Sequence, residues 1–250
     1  MSNVLTNGAK ITIASTNEEF HTLDDWRLAI GNNNYIGQPK QHLDFISVKG
    51  RNGLLDISEA LTGRPTYSSR EIRVLLGGMH SPQEWDSVIS TLRNKIEGRQ
   101  IKLTFDNDPS YYWYGRCHIE DFDRMRELGT FELTIPNADP YKYSCTQFNE
   151  DWLWDPFNFL TDYVTEEKEY TITEHTEIRI PSGEMPVSPT IIVTNINSYL
   201  TVQKYGESRV IDLKLGENKV YAITINDDFE SILMFEGSGT FSINFRGGSL

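Results

Sequence analysis

The apolar positions of this chain follow two periods. From Ser81 onward, Trp85, Val88, Ile89, Leu92 and Ile96 recur three and four residues apart, so they share one face of a helix. Ser81 suits the N-cap and Pro82 the first helical position. Glu84 completes a capping box, and Gly98 supplies the stop. A weaker helical pattern covers Asn17 to Trp26, interrupted by Thr22 and Asp24-Asp25. Elsewhere the period is two. Arg70 to Leu75 reads as a strand running into Gly77-Gly78, which reads as a turn. Ile101, Leu103 and Phe105 alternate with polar neighbours before the turn Asp106-Asn107-Asp108-Pro109. Tyr111 to Ile119 returns from that turn, and Thr130 to Ile135 alternates again until Pro136-Asn137-Ala138-Asp139-Pro140 breaks the pattern. Alternation buries one face and wets the other, the signature of antiparallel sheet.

The break at Pro136–Pro140 divides the chain. Residues 1–140 form one domain, 141–168 a connector, and 169–250 a second domain. The connector is rich in aromatics (Trp152, Trp154, Phe157, Phe159), which fits a segment pinned to a surface better than a free linker. Beyond it, short strands are expected over Tyr170–Thr173, Glu177–Ile180, Thr190–Thr194, Tyr199–Tyr205, Ser208–Leu215, Lys219–Ile225 and Thr240–Phe245. Gly, Asn and Asp turns separate them, with no helix between. That spacing indicates a sandwich. The fold class is therefore mainly β, with antiparallel strands and one packed α-helix in the first domain and a β-sandwich in the second.

Composition narrows the function classes. The 250 residues carry a net charge of −13 from 36 acids and 23 bases. Residues 1–140 hold 15 basic and 19 acidic side chains, and residues 141–250 hold 8 and 17. Such acidity disfavours direct nucleic-acid binding, which needs clustered Lys and Arg, yet suits a surface past which DNA slides. No apolar run is long enough for a membrane span, so no membrane partner is expected. The start Met1-Ser2-Asn3-Val4 lacks a secretory pattern, which predicts synthesis in a cytoplasm.

Reactive chemistry is sparse. His21, His42, His80, His118 and His175 are scattered, and none has the spacing of a helical zinc site. Cys117 and Cys145 fit no metal spacing, and Cys117-His118 in a strand would point to opposite faces. Glu120, Asp121 and Asp123 could imitate glycosidase carboxylates but read as a solvated turn. No catalytic residue, cofactor-binding residue or metal ligand is assigned, no cofactor is expected, and the chain is read as a non-enzyme. The dense run Tyr111-Tyr112-Trp113-Tyr114 must send two rings to each side of a strand. It is the candidate subunit interface, since Tyr and Trp concentrate at interfaces, with the alternative that one pair lies in the core and one at an edge.

Several stretches resemble a known family. They are Gly50-Arg51-Asn52-Gly53-Leu54-Leu55-Asp56, Leu61-Thr62-Gly63, the strand from Arg70, and the helix ending Ile96-Glu97-Gly98-Arg99. Leu103 to Asp108, Tyr112-Trp113-Tyr114-Gly115-Arg116, Gly129-Thr130-Phe131-Glu132-Leu133 and Asp139-Pro140-Tyr141-Lys142-Tyr143 complete the set. In this order they resemble the N-terminal module of distal tail proteins of long-tailed bacteriophages. Pro181-Ser182-Gly183, Pro189-Thr190-Ile191-Ile192 and the ending Phe241 to Gly248 resemble that family's C-terminal domain more loosely. The resemblance implies that the first domain is a β-sandwich with a packed helix and a protruding hairpin, placed near Gly50 to Tyr67, and that it closes into a homo-hexameric ring. It also implies a galectin-like second domain. The protein would act as a structural hub of the virion's tail tip or baseplate. Its partners would be the tail tube protein, the tail-tip protein and a receptor-binding protein, with DNA passing through the channel. The alternative function is a cell-wall carbohydrate-binding module acting in host adhesion.

Overall fold

The computed structural model describes residues 7–148, 169–226 and 230–250, in two compact units. The first comprises residues up to 108 together with 112–140. The second takes 109–111 and everything described from 141 onward.

In the first unit the strands are β1 (Ala9–Ile13), β2 (Glu19–His21), β3 (Ala29–Ile30), β4 (Tyr35–Ile36), β5 (Phe45–Ser47), β6 (Leu54–Asp56), β7 (Arg70–Met79), β8 (Gln100–Phe105), β9 (Tyr111–Arg116), β10 (His118–Met125) and β11 (Leu128–Ala138). The helices are α1 (Thr22–Trp26) and α2 (Pro82–Ile96). One sheet runs in the order β9-β8-β1-β2. The other runs β10-β11-β7-β3, with β4 also on β7. The inward residues of both sheets, among them Ile11, Ile101, Leu103, Ile72, Val74, Leu76, Phe131 and Leu133, form one core.

The α2 helix follows its sequence signals. The Ser81 hydroxyl accepts from the Glu84 amide at 3.3 Å, and Glu84 Oε2 accepts from the Ser81 amide at 2.8 Å. This backbone and hydroxyl contact with Ser81 holds the Glu84 carboxyl below its usual range. Trp85, Ile89, Leu92 and Ile96 are buried, and the Trp85 indole donates to the Glu127 carbonyl at 2.8 Å.

Local signals elsewhere lose to pairing between distant segments. The helix expected over Asn17–Trp26 is confined to Thr22–Trp26, because Glu19–His21 pairs with β1, with Phe20 opposite Ile11. Gly77-Gly78 is no turn but lies within β7. A Cβ on Gly78 would stand 2.6 Å from the Arg27 carbonyl oxygen, so the strand needs glycine where another backbone crosses it. The single return strand Tyr111–Ile119 is two strands. At Cys117 the chain leaves the sheet of β8 and joins the sheet of β11. Pro136 does not end its strand either. The register steps from Ile135 opposite Ile72 to Ala138 opposite Arg70, so Pro136 and Asn137 form a bulge, where a missing donor is tolerated.

The second unit contains β12 (Lys142–Ser144), β13 (Tyr170–Ile172), β14 (Thr176–Pro181), β15 (Thr190–Lys204), β16 (Val210–Asp212), β17 (Gly216–Lys219), β18 (Glu230–Asn244) and β19 (Gly248–Ser249). Of the segment read as a connector, Lys142–Ser144 pairs with Gly248–Ser249 and Phe148 is buried beside Phe245; its remainder, 149–168, lies outside the described residues. The two strands expected at Thr190–Thr194 and Tyr199–Tyr205 are one, β15, paired along its length with β18. The strand expected over Ser208–Leu215 shortens to Val210–Asp212. Lys219–Ile225 is mostly loop, whose Val220, Ile223 and Ile225 cap the core.

β15 and β18 make this sheet a two-layered body. Phe235 and Phe241 are six residues apart on β18, about 20 Å if the strand were straight. Their rings stack with centroids 4.3 Å apart, so the strand doubles back between them. The bend falls at Gly237, with φ of 117°, where a Cβ would stand 1.9 Å from the Tyr199 carbonyl oxygen. Opposite it, β15 slips register between Ile196 and Leu200. The early half of β18 then pairs with β14 and the late half with β13.

Two substitutions probe the two cores. Leu92→Ala opens a cavity at a fully buried helix position and should cost about 2–5 kcal/mol. Gly237→Ala adds left-handed strain and a backbone overlap, and should cost about 2–5 kcal/mol. Denaturant midpoints against the native chain measure both. An unchanged midpoint for either would contradict the packing described.

Candidate assembly surfaces

The Tyr111–Tyr114 run splits by strand alternation. Tyr111 and Trp113 are buried, whereas Tyr112 and Tyr114 are half-exposed. Arg70 lies over the Trp113 ring at 4.7 Å and donates to the Pro140 carbonyl, and burial lowers the pKa of its guanidinium. Lys142 lies over Tyr111 at 4.1 Å and Lys102 over Tyr112 at 5.3 Å; the Tyr114 hydroxyl donates to Gln100 Oε1 at 3.1 Å. Only Tyr112 and Tyr114 present ring surface outward.

The protruding hairpin is the more exposed apolar feature. It begins earlier than the Gly50–Tyr67 segment picked out by sequence, because its first strand is Phe45–Ser47. The register places Phe45 opposite Asp56, Ile46 opposite Leu55 and Ser47 opposite Leu54. One face therefore carries Phe45 and Leu54 with Ser47 and Asp56, and the other carries Ile46 and Leu55. Leu43, Phe45, Ile46, Val48 and Leu54 are all exposed, and Leu61 is 99% exposed. The base is closed by the bridge between Gln41 and Tyr67, and the connection after β6 by the Ser58 hydroxyl on Asp56 at 2.6 Å. That contact lowers the Asp56 carboxyl's pKa, so Asp56 stays charged beside Leu54. A two-stranded ribbon is marginally stable alone in water, and this one has apolar groups on both faces.

The titratable groups serve local structure. His21 bridges Asp106 at 3.0 Å and Asp24 at 3.2 Å, and His118 meets Glu97 at 3.0 Å. His80 is buried edge-on to Trp85, 4.7 Å between centroids. Glu120, Asp121 and Asp123 lie on a bulge of β10 rather than in the expected turn, with Asp121 at φ of 49°. No group of three or more His, Cys, Asp or Glu could hold a metal among the described residues. Trp152 and Trp154 lie outside the described residues. An open hollow of about 380 Å³ is lined by Arg99, Arg116, Tyr114 and Gln100, and another of about 240 Å³ by His80, Glu84 and Arg27. Burial pushes the Cys117 thiol up to about 12, and its Sγ donates to the Ile96 carbonyl at 3.2 Å.

No protein-family model matches this chain, and no curated protein does. A solved structure does. The Dit protein (gp 19.1) of phage SPP1 superposes with a TM-score of 0.60 at 13% identity, over 96% of this chain and 99% of that one. The chain has the fold of a phage Dit protein. At this identity the shared property is the mainly β fold in both units, over nearly the whole of each chain. That protein is presented as a paradigm of the hub adsorption apparatus in phages infecting Gram-positive bacteria.

The cysteines offer a direct check on the burial described. At pH 8 a thiol reagent should label Cys145, which is half-exposed, well before Cys117. Peptide mapping after a timed reaction measures the order, and equal labelling of both would mean that the corner at Cys117 is open.

Proposed function

We propose that this protein is a structural hub of a phage tail tip, non-enzymatic and resident in the virion. The observation that carries the reading is the agreement of fold with a hub adsorption protein over 96% of this chain and 99% of the other. An unrelated sandwich would match one unit, not both in sequence. The hairpin supports it independently, because an apolar ribbon left uncovered by the other described residues calls for a neighbour. In this reading the first unit associates into a closed homo-oligomer, a hexameric ring, between the tail tube protein and the tail-tip protein. Tyr112 and Tyr114 contribute at the subunit contact. The second unit, galectin-like in shape, faces the receptor-binding apparatus. The excess of 36 acids over 23 bases favours a wall that DNA passes without adhering.

Solution mass tests the reading. Light scattering should show the mass rising with concentration from 28.7 kDa toward six copies. Phe45→Asp combined with Leu54→Asp should hold the protein at one copy without lowering its melting temperature, since both side chains are exposed. Association that ignores the hairpin substitutions would remove its role. An assembled tail with this chain away from the channel axis would remove the hub.

A further inference from the structure

The chain contains two Asn-Gly pairs, Asn7-Gly8 and Asn52-Gly53, and the fold treats them oppositely. A glycine after asparagine has no Cβ to keep its backbone nitrogen away from the asparagine side chain. Whether the two meet depends on what holds the glycine N–H and how freely the local backbone turns. Gly8 is buried, and its N–H donates to Asp106 Oδ2 at 2.8 Å. Asp106 is itself held by His21 Nε2 at 3.0 Å, and its amide donates back to the Gly8 carbonyl at 3.2 Å. The Asn7 carbonyl accepts from the Ile30 amide at 2.8 Å. A carboxylate on the Gly8 N–H opposes loss of its proton, which would set two anions side by side. The first pair is clamped.

Asn52-Gly53 has none of this. It lies in the loop 48–53 between β5 and β6, and all six residues of that loop are exposed. The contact that shapes the loop comes before the pair, from the Arg51 amide to the Val48 carbonyl at 3.1 Å. Among the described residues, neither the Gly53 amide nor the Asn52 carboxamide has a hydrogen-bond partner. Gly53 stands at φ of 79°, and a Cβ built there would meet nothing within 4 Å. The loop's own charged side chains are Lys49 and Arg51, which favour a deprotonated, nucleophilic amide nitrogen. The ribbon's acids, Asp44 and Asp56, lie at its other end beyond the paired residues.

We propose that Asn52 is a self-modification site, converted to isoaspartate and aspartate by its own backbone, while the fold keeps Asn7 as asparagine. The Gly53 nitrogen, its proton taken by hydroxide, attacks the Asn52 side-chain carbonyl carbon. The new C–N bond closes a succinimide ring. The bond to the side-chain nitrogen breaks, and ammonia leaves with a proton from water. Water then opens the ring at either carbonyl. Opening at the backbone carbonyl predominates, because the amide group on Cα makes it the more electrophilic, and isoaspartate results. The net change consumes one water, releases one ammonia and exchanges an amide for a carboxylate, ionised at neutral pH. The loop then holds an anion beside Lys49 and Arg51, and the isoaspartyl form adds a methylene to the backbone leading into β6. The inference does not depend on the hub reading.

The test holds the full chain at mildly alkaline pH and physiological temperature, with samples digested over several weeks and mapped by mass spectrometry. The peptide holding Asn52 should gain the mass of an amide-to-acid exchange and become a substrate for isoaspartyl methyltransferase. In the folded chain it should convert at least about tenfold faster than the peptide holding Asn7, whose Gly8 must first lose a hydrogen bond to a charged acceptor. In urea the two should convert at similar rates. Asn52→Gln should remove the isoaspartyl signal from its peptide, because the longer side chain would have to close a less readily formed six-membered ring. Conversion at Asn7 as fast as at Asn52 in the folded chain would overturn the clamp at Gly8. Conversion of Asn52 in urea but not in the folded chain would overturn the open loop, and the proposal with it.

Discussion

The hydrogen-bonded strand β7 is the constraint on which the first unit depends. It pairs with β11 from Met79 to Arg70 and with β3 and β4 along its other edge, so it cannot slide or bend without breaking ladders on both sides. Its inward side chains Ile72, Val74 and Leu76 lie in the core, fully or almost fully buried, which fixes its register further. Everything that projects from this unit is placed by that strand. The hairpin departs near its first residues, α2 starts just past its last, and the corner at Gly78 is where the chain after α1 crosses it.

What could be read in the sequence was whatever is settled within a few residues. The α2 helix needs only its own cap, its own period and its own stop, and all of these lie between Ser81 and Gly98. Strands were found but their ends were not. Pro136 and Gly77-Gly78 carry strong local turn signals that are overruled by the partner strand, through a bulge in one case and a close backbone approach in the other. The early half of β18 was missed for a related reason. Gly237, Ser238 and Gly239 lie just before the expected strand Thr240–Phe245, and they form the bend that lets one strand serve two layers. The bend is intelligible only beside Tyr199, which is far away in sequence.

The candidate surfaces were legible to different degrees. The Tyr111–Tyr114 run announces aromatic density, but only pairing with β8 shows that Tyr112 and Tyr114 face outward. The hairpin could be anticipated from its glycines, although not the apolar character of both faces. The two Asn-Gly pairs are plain in the sequence, but the difference between them is not. Gly8 meets Asp106, far along the chain, only through the pairing of β1 with β8. Gly53 lies past the end of its ribbon's ladder, where nothing described reaches its amide. One dipeptide thus has two chemistries, set by what the fold brings to a single N–H.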